Sequence, residues 1–113
     1  MPMYALYRGD QVVGFVALKE HFKKSCELFV LGVLKDFHRQ GFGRQLISFA
    51  EDEARKKGFK YITVKTLSEG RPDAFYDRTR AFYLGMGYEA LEEFKTLWDK
   101  SNPCLLMIKY LFD

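Results

Sequence analysis

The chain has 113 residues, 48% hydrophobic and 29% charged, and its 18 Lys and Arg against 15 Asp and Glu leave a net charge of +3. A single domain of this length folds without a metal or disulfide framework, and interspersed charges with no block of like sign exclude a disordered tail or a basic arm. A charge of +3 is compatible with an anionic ligand and too small to argue for nucleic acid. No apolar run approaches the roughly 18 residues that cross a bilayer, and MPMYALYRGD lacks the basic start and apolar stretch of a signal peptide, so a cytoplasmic protein is expected. Cys26 and Cys104 have no metal-ligand spacing and are expected to be reduced and buried.

In chain order, Met3 to Arg8 suits a strand, Gly9-Asp10 a turn, and Gln11 to Leu18 a returning strand, so a hairpin opens the chain. After a polar stretch from Lys19 to Ser25, Glu27 to Leu34 reads as a central strand covered on both sides. From Gly43 to Lys57, Leu46, Ile47, Ala50 and Ala54 recur at helical spacing, and Glu51/Arg55 and Asp52/Lys56 form i,i+4 pairs outside. Gly58 ends that helix, and Tyr61 to Thr66 reads as a strand, which makes a right-handed parallel βαβ crossover. The segment LSEGRPD reads as a loop. Asp73 caps a helix from about Ala74 to Met86 that Gly87 stops, and two strands follow near Tyr88 to Leu97 and Leu105 to Phe112 around the turn DKSNP.

Between the central strand and its helix lies HRQGFGR, residues 38 to 44. Unpaired amides at a helix N-terminus, the helix dipole behind them, and Arg39 and Arg44 beside them suit a phosphate or pyrophosphate. The same two glycines would also serve a tight strand-to-helix turn and nothing more. The segment lacks the third glycine of a dinucleotide fingerprint and the GK[ST] of a P-loop, which disfavours NAD and ATP.

The stretch LGVLKDFHRQGFGRQLI resembles motif A of the GNAT N-acetyltransferase family in order and spacing, and RAFYLGMGYEAL resembles its motif B through Phe82, Tyr83, Gly87 and Tyr88. The resemblance runs from the first hairpin to the last strand. It implies an α/β (α+β) fold in the order β-β-β-α-β-α-β-β, a mixed, mostly antiparallel sheet around a central parallel βαβ unit, in one shortened acetyltransferase domain over 1–113. It also implies acetyl-CoA as cosubstrate, with no metal, and a small-molecule or peptide amine as acceptor.

Position by position, the resemblance assigns the pyrophosphate to amides among His38, Arg39, Gln40, Gly41, Phe42, Gly43 and Arg44. It assigns the pantetheine arm to the backbone of Leu31, Gly32 and Val33, with Gly32 leaving room for it, and the carbonyl of the thioester to the amide near Val33. His38 stands where the family usually has Arg or Gln, Arg39 where Gly is frequent, and Tyr76 where relatives often carry a cofactor-contacting Asn. Tyr83 matches the motif B tyrosine that acts as general acid in many relatives, protonating the departing thiolate. Glu27, eleven residues before His38, stands where some relatives place a base, while others pass the proton to solvent through water.

Two further expectations come from that comparison. Relatives usually have an earlier strand and one or two helices walling the acceptor site, so either a partner subunit supplies the wall, the groove is open, or a longer parent has been shortened. Nineteen aromatic residues, eleven Phe with seven Tyr and one Trp, together with a poorly covered sheet face, suggest a homodimer as one arrangement beside an open monomer. A module that binds acyl-CoA without turnover is the competing function. A nucleic-acid-binding domain using Lys19, Lys23, Lys24, Arg39, Arg44 and Lys57 is disfavoured by neighbouring acids.

Overall fold

A computed structural model describes residues 1–69 and 73–112. Six strands stand in the order β1-β2-β3-β4-β6-β5, and the chain divides into two compact units, Met1–Ile62 with Tyr110–Asp113, and Thr63–Lys109. The expected element order is observed, as a mixed, mostly antiparallel sheet with two helices.

In the first unit, β1 (Met3–Arg8) and β2 (Gln11–Phe22) form the opening hairpin, and its two-residue turn works because Gly9 takes φ +63, a conformation that costs glycine nothing. Strand β2 runs on through Phe22, four residues past the expected end, because it pairs to its last residue with β3 (Ser25–Val33). Lys19 to Phe22 are polar or exposed, so side-chain patterning carried no sign of this backbone pairing.

Strand β3 is covered on both sides only in its first half. Cys26, Glu27 and Leu28 are buried, whereas Phe29 and Val30 are exposed. Between these halves the β2–β3 register slips, Ala17 opposing Val30 and Leu18 opposing Leu28, so Phe29 is an extra residue in β3.

Helix α1 (Phe42–Lys56) buries the four expected apolar residues, Leu46, Ile47, Ala50 and Ala54, and the Leu and Ile each contribute about 1.5–3 kcal/mol of burial. It approaches β2 closely. A Cβ on Gly14 would lie 2.8 Å from the Gly32 carbonyl oxygen and 2.9 Å from Leu46 Cδ1. The acidic face differs from expectation. Glu51 is buried with Arg55 at 4.0 Å, and Arg55 also reaches Asp52 at 2.8 Å while Lys56 turns to Glu53 at 3.0 Å instead of Asp52. Gly58 closes the helix at φ +86, with Phe59 N–H donating to the Ala54 carbonyl.

Strand β4 (Tyr61–Leu67) begins beside the start of β3: the Lys24 carbonyl accepts from the amides of Lys60 and Tyr61 at 2.9 and 3.0 Å. Two strands that start together run parallel, and α1 is the expected crossover between them. Tyr110 to Phe112 return to this unit, where the Leu111 amide donates to the Lys60 carbonyl and Arg55 Nε donates to the Leu111 carbonyl.

The second unit continues β4 and adds α2 (Ala74–Gly85), β5 (Glu89–Asp99) and β6 (Asn102–Tyr110), with β6 between β4 and β5. Asp73 caps α2 as expected, its carboxylate accepting from the amides of Phe75 and Tyr76. The last hairpin is longer and tighter than DKSNP suggests, because Asp99 pairs with Asn102 and accepts from the Ser101 amide. Of the expected loop LSEGRPD, Gly70, Arg71 and Pro72 lie outside the described residues.

The contact at Gly14 gives a direct test. Gly14→Ala forces a methyl group against backbone as well as Leu46, which costs about 1–3 kcal/mol and lowers the melting temperature by several degrees, on the order of 4–8 °C per kcal/mol for a domain of this size. A melting temperature equal to wild type would contradict the packing described.

Candidate functional site

At the end of β3, alternate backbone groups face away from β2. The Leu34 amide donates to the Val13 carbonyl at 2.9 Å, and Phe15 lies opposite Gly32. Antiparallel pairs alternate between bonded and non-bonded positions, so the N–H and C=O groups of Leu31 and Val33 point away from β2. The Val33 carbonyl accepts from His38 Nε2 at 2.7 Å. The space beside Gly32 is filled from the neighbouring strand, where a Cβ would come within 2.9 Å of the Phe15 ring. Glycine at 32 therefore seats Phe15 in this structure.

From Val33 the chain passes through a 3-10 turn, Lys35–Phe37, that the sequence did not announce. Residues 38 to 41 then reverse it into α1. Arg39 takes φ +63, the only described non-glycine residue with positive φ. That conformation costs an L-residue about 1 kcal/mol or more, a cost glycine would not carry. Gly41 follows at φ +83 as N-cap, and Phe37 stacks edge-on against Phe42 at 6.0 Å across the turn. Gln40 Nε2 donates to the Asp36 carbonyl at 3.2 Å.

The start of α1 is electrically one-sided. Its N-cap has no side-chain hydrogen bond and its first turn no acidic residue, while Arg39 and Arg44 are both exposed beside it. First-turn amides have no partners within the helix, and the helix dipole adds partial positive charge. Around Gly41 the space is open, with nothing within 4 Å of an added Cβ. His38, Arg39, Gln40, Gly41, Phe42, Gly43 and Arg44 thus form one continuous turn next to Leu31–Val33, and an anion fits its charge.

Glu27 lies in the buried half of β3, at 3% exposure, with His21 Nε2 2.5 Å from its Oε1. Sequence reading did not include His21. It is six residues away on the neighbouring strand, and a lone histidine in a polar stretch carries no sign of its partner.

In the second unit Tyr83 projects from α2 at 6% exposure, its ring 5.6 Å from Phe82 and 5.7 Å from Tyr88. The following turn is closed by Gly87 at φ +96, with the Tyr88 amide donating to the Tyr83 carbonyl. Arg80, one helical turn earlier, is buried and donates to the Leu67 carbonyl and the Asp77 carboxylate. Tyr76 lines an open groove of about 310 Å3 with Leu67, Trp98 and Asn102. Trp98 stands 22 residues from Tyr76, and only the return of the last hairpin joins them.

Burial pushes the Tyr83 phenol up to about 12. It is therefore fully protonated at neutral pH, a condition for a proton donor. In the unfolded chain tyrosine ionises near 10, so folding keeps its full stability below pH 10 and loses it as pH rises toward 12, by about 3 kcal/mol over that window. The Cys26 thiol, pushed up to about 11 by burial and by Glu20, acts in the same direction from lower pH. Between pH 9 and 11.5 the urea midpoint should fall in wild type and fall less in Tyr83→Phe. Equal falls would place the phenol in water.

Residues 1–88 match the acetyltransferase (GNAT) family. An uncharacterized N-acetyltransferase of Chlorobaculum tepidum is 32% identical over 87 residues, which cover 77% of this chain and 48% of that protein. The chain thus spans about half the length of that relative. Among solved structures, a protein of Desulfovibrio desulfuricans assigned to the GNAT family superposes with a TM-score of 0.88 at 17% identity, covering 97% of this chain and 69% of its own. A GNAT acetyltransferase of Elizabethkingia anophelis with acetyl-CoA bound gives 0.83 at 17% identity, covering 96% and 74%. These two likenesses concern the fold. The match over 88 of 113 residues settles the family: the chain belongs to the GNAT acetyltransferases.

Proposed function

We propose that the chain binds acetyl-CoA and transfers its acetyl group directly to a primary amine of a small molecule or peptide within a ternary complex. The observation that carries this reading is the turn from β3 into α1: an uncapped helix start without first-turn acids, flanked by Arg39 and Arg44, beside backbone groups of Leu31 and Val33 that face away from β2. The pyrophosphate would sit on amides from 39 to 44. The pantetheine arm would pair like an added strand with Leu31 and with the Val33 amide, since His38 holds the Val33 carbonyl.

Transfer forms an N–C bond and breaks the C–S bond. The amine must lose a proton, the thioester oxygen gains negative charge in the transition state, and the thiolate must be protonated. Glu27 would take the amine proton, directly or through water, and Tyr83 would give one to the departing sulfur. The relative with acetyl-CoA bound supports the cosubstrate, and no metal enters the chemistry proposed. The acceptor class rests on the family and on relatives named N-acetyltransferases.

Thermal shift with CoA tests binding. At about 100 times its dissociation constant a ligand stabilises a native-state binder by about 2.7 kcal/mol. Gly41→Asp finds open space around its Cβ but is strained at φ +83, by about 1 kcal/mol; the folded variant should lose that shift, because its carboxylate meets the anion. An undiminished shift would remove the turn from the cofactor site. For the chemistry, Tyr83→Phe should lower kcat about a hundredfold with CoA affinity unchanged. A rate equal to wild type, with chemistry limiting, would remove Tyr83 from the mechanism.

A further inference from the structure

Within the second unit, the last hairpin brings a tryptophan to the start of α2. In the β5–β6 ladder Phe94 opposes Cys104 and Asp99 opposes Asn102, so four residues, Lys95 to Trp98, stand against Pro103 alone. Proline has no amide to give a ladder. Its carbonyl instead accepts from the Ser68 amide at 2.8 Å, just beyond the end of β4. A bulge of this kind bends a strand and re-aims its side chains. Trp98, 48% exposed and the only tryptophan of the chain, walls the open groove of about 310 Å3 together with Leu67, Tyr76 and Asn102.

The walls are held from behind. The Leu67 carbonyl accepts from Arg80, and Asn102 Nδ2 donates to the Asp99 carboxylate at 3.0 Å. The Tyr76 amide donates to Asp73 at 3.2 Å, and its ring stands edge-on to Phe75 at 5.1 Å. Walls fixed in this way lose little freedom when the groove is filled. Among the described residues none of the lining side chains is charged: they supply two aromatic rings, one aliphatic side chain and one amide. Such a lining gives an ion no partner of opposite charge and fits a flat apolar group.

Helix register sets the distance from this groove to the proposed chemistry. Tyr76, Arg80 and Tyr83 fall at i, i+4 and i+7 on one face of α2. Tyr76 and Tyr83 are thus two turns apart, about 10 Å along the axis. A ring seated at Tyr76 lies within reach of a reacting amine near Tyr83 when a short chain joins the two.

We propose that the groove between Tyr76 and Trp98 is the specificity site for the acceptor, and that it holds an aryl group joined by a flexible chain to the reacting primary amine. The inference rests on the proposed acetyl transfer and names its acceptor class. Tyr76 and Trp98 act by touching the aryl group and move no proton.

The single tryptophan supplies a readout independent of turnover. 4-Phenylbutylamine, n-butylamine and 1,4-diaminobutane share one chain length and differ at the far end, in a ring, a hydrogen and a second ammonium. In wild type, with or without saturating CoA, 4-phenylbutylamine should move the Trp98 emission saturably to shorter wavelength, because a ring on the indole displaces water. Its affinity should exceed that of the other two amines about tenfold, and Tyr76→Ala should weaken it by a similar factor. No saturable change in either state, or equal affinity for n-butylamine, would overturn the proposal. Tighter binding of 1,4-diaminobutane would assign the groove to a cation and overturn it too, and so would a change given by CoA alone that shuts the amine out.

Turnover, followed as thiol release from acetyl-CoA, tests the groove as an acceptor site. The ratio of kcat/KM for 4-phenylbutylamine to that for n-butylamine should be about tenfold in wild type and approach one in Trp98→Ala. An unchanged ratio in a folded Trp98→Ala overturns the groove as specificity site and leaves acetyl transfer standing. If that variant does not fold, the wild-type ratio and the emission series still decide. Acetylation of none of the three amines, with the emission change present, goes against the transfer reading itself and overturns the acceptor assignment with it.

Discussion

Everything near the candidate cofactor turn depends on how closely α1 lies against β2 and β3. That approach is possible because residue 14 has no side chain: a single Cβ would meet the Gly32 carbonyl and Leu46 at under 3 Å. With the helix seated there, β3 must hand the chain to α1 over a few residues, and no regular structure makes such a reversal. The chain solves it with a 3-10 turn, a residue in the left-handed region at Arg39 and a glycine in the same region at Gly41. The turn follows from that seating, whereas the β2–β3 register aims the backbone groups of Leu31 and Val33 away from β2.

Holding Arg39 at φ +63 spends conformational energy that glycine would save. The side chain retained at that expense is a cation beside an uncapped helix start. Charge and strain therefore coincide at one residue. Nearby, His38 closes the Val33 carbonyl, so the turn is stitched to the strand by a side chain as well as by backbone. The turn is thereby organised before a ligand arrives, which reduces the ordering that binding would otherwise require.

The buried ionisable groups divide into two kinds. Glu27, Glu51 and Arg80 keep a partner of opposite charge or a strong donor or acceptor, His21, Arg55, and Asp77 with the Leu67 carbonyl respectively. Tyr83 and Cys26 are instead buried in forms that are neutral at physiological pH, and burial pushes both upward. The first group needs its neighbours to remain charged in the interior, whereas burial itself holds the second in its neutral form, aided at Cys26 by Glu20.

Element order, the positions of the two helices, the Asp73 cap and the glycine stops were legible in the sequence, because period, capping and positive-φ demands are local and act within a few residues. The family was legible for a related reason: HRQGFGR and RAFYLGMGYEAL are contiguous, and their spacing survives without any tertiary information. What only the tertiary structure decided involves residues distant in sequence or pairing through backbone. The extension of β2 to Phe22 rests on hydrogen bonds that polar side chains do not announce. Glu51 turned inward because Arg55 and the interior were there to receive it, where i,i+4 spacing alone had placed the pair in water. Gly32 seats Phe15 of the neighbouring strand, and His21 meets Glu27 through a slip in register. Local sequence specifies which dihedrals a segment prefers; which side chains then touch depends on how strands align and helices settle, and that is set by the packing of the whole unit.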